Sequence, residues 1–157
     1  MINIVNLKTH ITSLKEYNTF GIEVTATSFN KAKSEDEILD FITENESKPL
    51  ILGGGSNILF KNNITKPILK IDIKGIEIIE ENEESIYISV GAGENWNDFV
   101  KWSLANNYGG IENLSLIPGN VGSAPIQNIG AYGVELNDVF HSCRAISIYE
   151  KKLKIFK

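Results

Sequence analysis

The sequence of 157 residues is poor in the side chains that build metal and redox centres: it has one cysteine, Cys143, and two histidines, His10 and His141. A single cysteine forms neither an intramolecular disulfide nor a multi-cysteine metal site, and a reducing compartment fits it best. Neither histidine has a ligand pattern around it, so we expect both to be structural and no metal to be bound. Cys143 lies in an alternating apolar segment, where we expect a buried, inert thiol.

Long apolar runs and an excess of positive charge are also missing. No window approaches the apolar length of a membrane span, and residues 1–12 lack the apolar core of a signal peptide. The chain carries 20 acidic and 15 basic side chains, a formal net charge of -5. This negative field repels nucleic-acid phosphates and anionic lipid, which argues against both as partners. We therefore expect a cytoplasmic globular protein without nucleic-acid or membrane partners.

Local signals predict a mixed α+β chain. Ser34 and Glu37 have the spacing of a capping box, which predicts a helix that ends before Pro49. Asn95 is the predicted N-cap of a second helix, whose buried face comprises Trp96, Phe99, Val100, Ser103 and Leu104. Alternating or short apolar segments predict strands at 49–52, 67–73, 76–79, 86–90, 143–149 and 153–156. Pro67 is the predicted seam between two subdomains.

A glycine-rich pentapeptide, Gly53-Gly54-Gly55-Ser56-Asn57, follows the predicted strand 49–52. Glycines let backbone N–H groups approach an anion, and Ser56 and Asn57 add side-chain donors, so the segment is a candidate phosphate cradle. A tight structural turn explains it equally well. The next residues, Ile58-Leu59-Phe60, supply neither the third glycine of a dinucleotide fingerprint nor the Gly-Lys-Ser/Thr of a P-loop, which disfavours both.

Two further loops are candidates for binding. Gly91-Ala92-Gly93-Glu94 stands between a strand and a helix N-terminus, where Glu94 opposes a phosphate and favours a structural turn. Residues 118–133 hold four glycines and two prolines without periodicity. A loop of that length is either a surface Ω-like loop or wrapped around a ligand, for which Gln127, Asn128 and Tyr132 supply polar and aromatic contacts.

Taken in order, these segments resemble one family. Asn18-Thr19-Phe20-Gly21, then residues 52–57, 91–96 and 117–133, are similar to UDP-N-acetylenolpyruvoylglucosamine reductase, also called UDP-N-acetylmuramate dehydrogenase. The resemblance implies an FAD-binding fold of the p-cresol methylhydroxylase and vanillyl-alcohol oxidase type, with two subdomains and a C-terminal truncation. The implied subdomains are residues 1–66 and an incomplete 67–157, with the substrate-binding domain absent.

The resemblance also implies a site and a reaction. Gly53, Gly54, Gly55, Ser56 and Asn57 would hold the pyrophosphate of FAD. The flavin would be lined by Gly119, Gly122, Ser123, Gln127, Asn128, Gly130 and Tyr132. NADPH would be the hydride donor, and UDP-N-acetylglucosamine-enolpyruvate the substrate reduced in peptidoglycan precursor synthesis.

The family's catalytic arginine, serine and glutamate match no residue here, so we expect them to lie beyond the chain's end and turnover by this chain alone to be incomplete. A separate C-terminal half and self-association are the candidate partners. The alternative is a non-catalytic module for FAD or another nucleotide that keeps the fold as a scaffold.

Overall fold

The computed structural model describes residues 11–45 and 47–157; His10 lies outside them. The helices are α1 (Glu35–Glu44), α2 (Trp96–Ala105) and the short α3 (Ala124–Gln127). The strands are β1 (Thr12–Ser13), β2 (Thr25–Ala26), β3 (Phe29–Ala32), β4 (Leu50–Leu52), β5 (Ile68–Ile71), β6 (Ile76–Glu81), β7 (Ile86–Val90), β8 (Gly130–Ala131), β9 (Val134–Glu135), β10 (Cys143–Ser147) and β11 (Lys152–Phe156). Among the described helices, none has both the length and the apolar character needed to cross a membrane.

A three-stranded parallel sheet in the order β3-β5-β4 organises the first part of the chain. In its register, Ile68 of β5 lies between Phe29 of β3 and Leu50 of β4. Because β5 directly follows Pro67, the segment after the predicted seam is the central strand of this sheet. The division into two subdomains remains a prediction.

The two faces of the sheet contribute to different cores, because successive residues of a strand point to opposite sides. Ile68 packs in a cluster with Leu14, Val24, Ala26, Leu52 and Phe60, beneath the short β1–β2 pair. Leu69 packs with Ala32 and with Ile42 of α1, and Ile146 of β10 joins that cluster. The sheet is therefore covered on both faces.

The second part of the chain is built from α2 and three antiparallel hairpins, β6–β7, β8–β9 and β10–β11. Trp96 and Val100 of α2 form a third core with Ile111, Leu114 and other residues. The Trp96 indole Nε1–H donates to the Leu114 carbonyl at 2.7 Å, so this buried polar atom is satisfied. This core holds the 118–133 segment against α2, since Ala124 is part of it.

Both predicted helix caps are present. The Ser34 hydroxyl accepts from the backbone N–H of Glu37 at 3.1 Å, and Asn95 Oδ1 accepts from that of Asp98 at 3.1 Å. The capping box is only half formed, because the Glu37 carboxylate accepts from the backbone N–H of Lys33, at 2.6 Å, instead of that of Ser34.

Two burial predictions were wrong. Leu104 was expected in the core but is 49% exposed. At 3.6 residues per turn it lies about 80° around the helix from Trp96, at the margin of the buried stripe. Cys143 is half-buried rather than buried, because its strand belongs to a two-stranded sheet that leaves it partly open.

Candidate functional site

The loop at residues 53–57 leaves the end of β4 and meets the loop at residues 119–123. A Cβ placed on Gly54 would lie 2.7 Å from Asn120 Oδ1 and 3.1 Å from the Gly119 Cα. A Cβ on Gly119 would lie 3.3 Å from the hydroxyls of both Ser56 and Ser123. Glycine at positions 54 and 119 therefore lets the two backbones approach closely.

The N-terminal arm closes the other side of the 53–57 loop. A Cβ on Gly55 would lie 2.0 Å from the Tyr17 carbonyl oxygen, and the Thr19 N–H donates to the Gly55 carbonyl at 3.0 Å. Asn18 is 6% exposed and holds the arm in shape: its amide donates to the Leu14 and Ile22 carbonyls and its Oδ1 accepts from the Ile22 N–H. The Asn-Thr-Phe-Gly motif is thus a support for the glycine loop.

The loop at residues 91–94 is tied to the 119–123 loop by backbone hydrogen bonds. The Gly122 N–H donates to the Ala92 carbonyl at 3.0 Å, the Val121 N–H to Glu94 at 2.9 Å and the Trp96 N–H to Gly119 at 3.0 Å. The buried Asn120 side chain adds a bond to the Gly93 carbonyl at 3.1 Å. This loop therefore acts as the frame that fixes residues 119–123.

Glu94, the charged residue of the 91–94 loop, faces Lys74 of a neighbouring segment. Glu94 lies 3.6 Å from the Lys74 ammonium and accepts from the Gly75 N–H at 2.8 Å. Lys74 also donates to the Gly93 carbonyl and lies 3.9 Å from Asp72. The carboxylate of Glu94 is thereby engaged in holding its own loop.

Within 11–45 and 47–157, no backbone N–H group of residues 53–57 donates to a protein acceptor. Successive backbone N–H groups in a glycine-rich turn form a concave surface that binds anions. The loop thus has the donors that a phosphate or diphosphate requires.

The remaining predicted residues lie further along the chain. Gln127, at the end of α3, is exposed. Asn128 is in the left-handed region, and its side chain is used internally: the amide donates to Glu135 at 2.7 Å and Oδ1 accepts from the Asn137 N–H at 3.2 Å. Tyr132 occupies the tip of the β8–β9 hairpin and is 90% exposed.

The structure thus joins some of the predicted residues and separates others. Gly54, Ser56, Gly119 and Ser123 come together directly, and Gly122 packs against Ala92 instead. Gln127, Asn128, Gly130 and Tyr132 form the adjoining turn and hairpin.

Sequence reasoning missed three contributors: Tyr17, Asn120 and Lys70. Tyr17 and Asn120 lie next to predicted motifs, and that adjacency was the only available signal. Nothing in the sequence singled out Lys70, whose place beside the loop depends on strand register.

A comparison with known families identifies the family of this chain. A family described as "FAD binding domain" matches residues 29–150. The chain belongs to this family. The matched region contains all three glycine loops, and the α+β FAD-binding fold expected from the resemblance is confirmed.

Individual relatives point to one enzyme within it. The chain is 51% identical, over 145 residues, to the UDP-N-acetylenolpyruvoylglucosamine reductase of Flavobacterium johnsoniae, covering 92% of this chain and 43% of the relative. It is 44% identical, over 147 residues, to the same-named protein of Pseudomonas aeruginosa, again covering 92% and 43%. The resemblance inferred from the loops is confirmed. The chain spans less than half the length of these relatives.

A solved structure has the same fold. The UDP-N-acetylenolpyruvylglucosamine reductase of Thermus caldophilus superposes with a TM-score of 0.71 at 23% identity, covering 93% of this chain and 51% of that one.

The residues present fit the cofactor that the family name implies. A diphosphate needs clustered N–H donors and a backbone without side chains in the way, and residues 53–57 supply both. At positions 54 and 119 a Cβ would crowd atoms of the facing loop, so glycine keeps the backbone open where the two loops meet.

Proposed function

We propose that this chain is the FAD-binding part of an NADPH-dependent reductase that converts UDP-N-acetylglucosamine-enolpyruvate to UDP-N-acetylmuramate in peptidoglycan precursor synthesis. The observation that carries the proposal is the glycine loop at residues 53–57, which lies between the N-terminal arm and the 119–123 loop. Its N–H groups donate to no acceptor among the described residues. The names of the relatives support the choice of reaction. A cytoplasmic location belongs to the same proposal, because the nucleotide-linked substrate and NADPH are cytoplasmic metabolites.

In this proposal the N–H groups of residues 53–57 and the Ser56 hydroxyl bind the pyrophosphate. Gly119, Gly122 and Ser123 line the adjoining part of the flavin site, followed by Gln127, Asn128, Gly130 and Tyr132. When bound, the flavin supplies the hydride-transfer chemistry, while the protein positions it and excludes competing reactions. The exposed Gln127 and Tyr132 side chains are available for that contact.

Turnover needs groups that this chain does not match. Reduction of an enolpyruvyl group requires stabilisation of an enolate-like intermediate and a proton donor, for which no arginine, serine or glutamate of the chain is a candidate by motif. We therefore expect the chain alone to bind flavin with little or no substrate reduction.

Flavin retention is the first test. The purified chain is mixed with excess FAD, passed through gel filtration, and examined for the flavin absorption band and for a rise in unfolding temperature, because a ligand specific to the native state stabilises it. Addition of NADPH without oxygen should then bleach the band. Absence of retained flavin and of stabilisation would refute the proposal, and retained flavin that NADPH does not bleach would favour the scaffold module.

An isosteric pair of variants locates the site. Asn57→Asp places a carboxylate in the glycine loop, and Asn62→Asp makes the same charge change at another exposed asparagine outside it. We expect Asn57→Asp to weaken FAD binding by about tenfold or more through repulsion of the diphosphate, and Asn62→Asp to leave it nearly unchanged. Equal effects of the two variants would place the pyrophosphate elsewhere.

A further inference from the structure

Lys70 is a half-buried lysine in the central strand of the parallel sheet. Two residues after Ile68, its side chain leaves β5 on the face that packs against Leu14 and Phe60. Its register partners are Lys31 on β3 and Leu52 on β4. Lys70 is therefore one step from the point where β4 ends and the glycine loop begins.

The ammonium of Lys70 replaces a backbone donor at this point. The Leu50 N–H donates to the Pro67 carbonyl at 2.8 Å, and every second carbonyl from Pro67 onward faces β4 in this parallel register. If the pairing continued past the end of β4, the Gly54 N–H would donate to the Ile71 carbonyl. In the described chain Gly54 does not make that bond. Lys70 Nζ donates to the Ile71 carbonyl instead, at 3.1 Å, which places the positive charge at the base of the 53–57 loop.

The loop and the lysine are on the same side of the sheet. Gly55 lies against the Tyr17 carbonyl, and the Tyr17 ring packs on Phe29, a residue of the same core as Ile68. Lys31 Nζ lies 5.2 Å from the centre of the Tyr17 ring. Two positive charges, on Lys31 and Lys70, thus occupy neighbouring positions beside the loop.

This arrangement is costly without an anion. Like charges at neighbouring positions on one face of a sheet repel each other. Burial lowers the pKa of Lys70, with Asp72 opposing the shift and Lys74 and Lys31 adding to it. Within the described residues Lys70 belongs to no ion pair, and Asp72 is 3.9 Å from Lys74. A bound anion would offset both the burial and the repulsion.

We propose that the Lys70 ammonium is the cationic partner of a phosphate group held by the backbone N–H groups of residues 53–57. The ligand class is a diphosphate-bearing nucleotide, and the inference rests on the proposed function in taking FAD as that nucleotide. Lys70 acts with the loop: the N–H groups orient the phosphate oxygens, and the ammonium neutralises their charge.

The test compares Lys70→Met with Lys70→Arg and with the matched control Lys157→Met. The control removes the same charge from an exposed position at the C-terminal end of the described chain. Equilibrium dissociation constants are measured for FAD and for riboflavin, which carries no phosphate, at low and high salt. Urea unfolding without ligand checks the fold of each variant.

We expect Lys70→Met to weaken FAD binding by about 10- to 100-fold, the usual effect of losing a charge-assisted hydrogen bond. Lys70→Met should bind riboflavin as the wild type does, and Lys157→Met should bind FAD as the wild type does. Lys70→Arg should keep most of the affinity for FAD. The salt dependence of FAD binding should be shallower in Lys70→Met because one screened charge is gone. The ligand-free Lys70→Met chain should be at least as stable as the wild type.

Other outcomes separate the two proposals. If the wild type binds FAD and Lys70→Met binds it equally well, Lys70 is not the partner of the phosphate, although the FAD proposal stands. If Lys70→Met loses riboflavin as well, the substitution has distorted the pocket and the inference is overturned. If the wild type binds no FAD, the proposed function itself fails, and the role of Lys70 falls with it.

Discussion

Replacing Gly55 with alanine tests the tightest contact of the site. Gly55 has φ +73°, and its Cβ would lie 2.0 Å from the Tyr17 carbonyl oxygen, against the 3.4 Å or more of an ordinary contact. The left-handed conformation alone costs a non-glycine residue about 1–2 kcal/mol. The required displacement of more than 1 Å would also strain the Thr19–Gly55 hydrogen bond, adding about 1–3 kcal/mol. We expect Gly55→Ala to lower the free energy of unfolding by about 3 kcal/mol or more.

Substitutions at two other glycines separate the cost of the positive φ from the cost of the steric clash. Gly53, in the same loop, has no atom within 4 Å of its Cβ position and does not need a positive φ, so Gly53→Ala should be neutral or stabilising by about 0.5 kcal/mol. Gly21 has φ +62° but open space, so Gly21→Ala should show only the conformational cost, about 1–2 kcal/mol. Urea unfolding followed by circular dichroism measures all three. Should Gly55→Ala cost no more than Gly21→Ala, the arm is not packed rigidly against the loop and the reasoning is wrong.

Two further changes test the third core, which contains Trp96, and its surroundings. Trp96→Phe removes the indole N–H that donates to the buried Leu114 carbonyl, and should lower the free energy of unfolding by about 2–3 kcal/mol in urea titrations; a loss below about 0.5 kcal/mol would contradict the importance of that bond. Hydrogen bonds from the backbone N–H groups of Glu112 itself and of Gly110 hold the pKa of the Glu112 carboxyl below its ordinary value of 4.5. A lowered carboxyl pKa stabilises the folded state above the ordinary pKa, and the benefit disappears as pH falls through the lowered value. The stability advantage of wild type over Glu112→Gln in urea unfolding should therefore be present at neutral pH and shrink as the pH falls below 4.5, whereas a constant difference would exclude this origin.

The sequence predicted the elements whose signals are local. Ser34 and Asn95 marked both long helices because an N-cap depends on a few neighbouring residues, and the strand at Ile86–Val90 was predicted to the residue because its alternation is regular. The strand predicted at 67–73 proved shorter, Ile68–Ile71, and the one predicted at 143–149 ends at Ser147. Strand ends depend on where a partner strand stops, which local alternation does not reveal.

Elements defined by tertiary pairing were missed. Strand β3, Phe29-Asn30-Lys31-Ala32, has two polar residues in the middle and is a strand because β5 pairs with it. Residues 118–133 showed no periodicity, yet they contain α3 and the start of the β8–β9 hairpin, where Tyr132 and Gly133 both have positive φ. Two consecutive positive φ values are typical of a type I′ hairpin turn, which a tyrosine at the first position does not predict.

In the candidate site, too, local features were predictable from the sequence and long-range contacts were not. Its glycine loops were identifiable because consecutive glycines are informative by themselves, and the resemblance supplied their order. Contacts between residues far apart in sequence bury Asn120 between the 53–57 and 91–94 loops and place Lys70 beside the 53–57 loop. No pattern within either segment encodes those distances.

The wide spacing of the segments that close the glycine loop has a consequence for biosynthesis. Tyr17 and Asn120 both contact the 53–57 loop, at Gly55 and Gly54 respectively, although more than 100 residues separate Tyr17 from Asn120. A ribosome delivers the N-terminal arm and the 53–57 loop well before residues 119–123, so the nascent chain at first carries two of these three segments. Long-range contacts of this kind also form slowly compared with local hairpins such as β6–β7. If the nucleotide binds as proposed, its complete site exists only after residues 119–123 have left the exit tunnel and docked, so nucleotide binding would be a late step in the maturation of this protein.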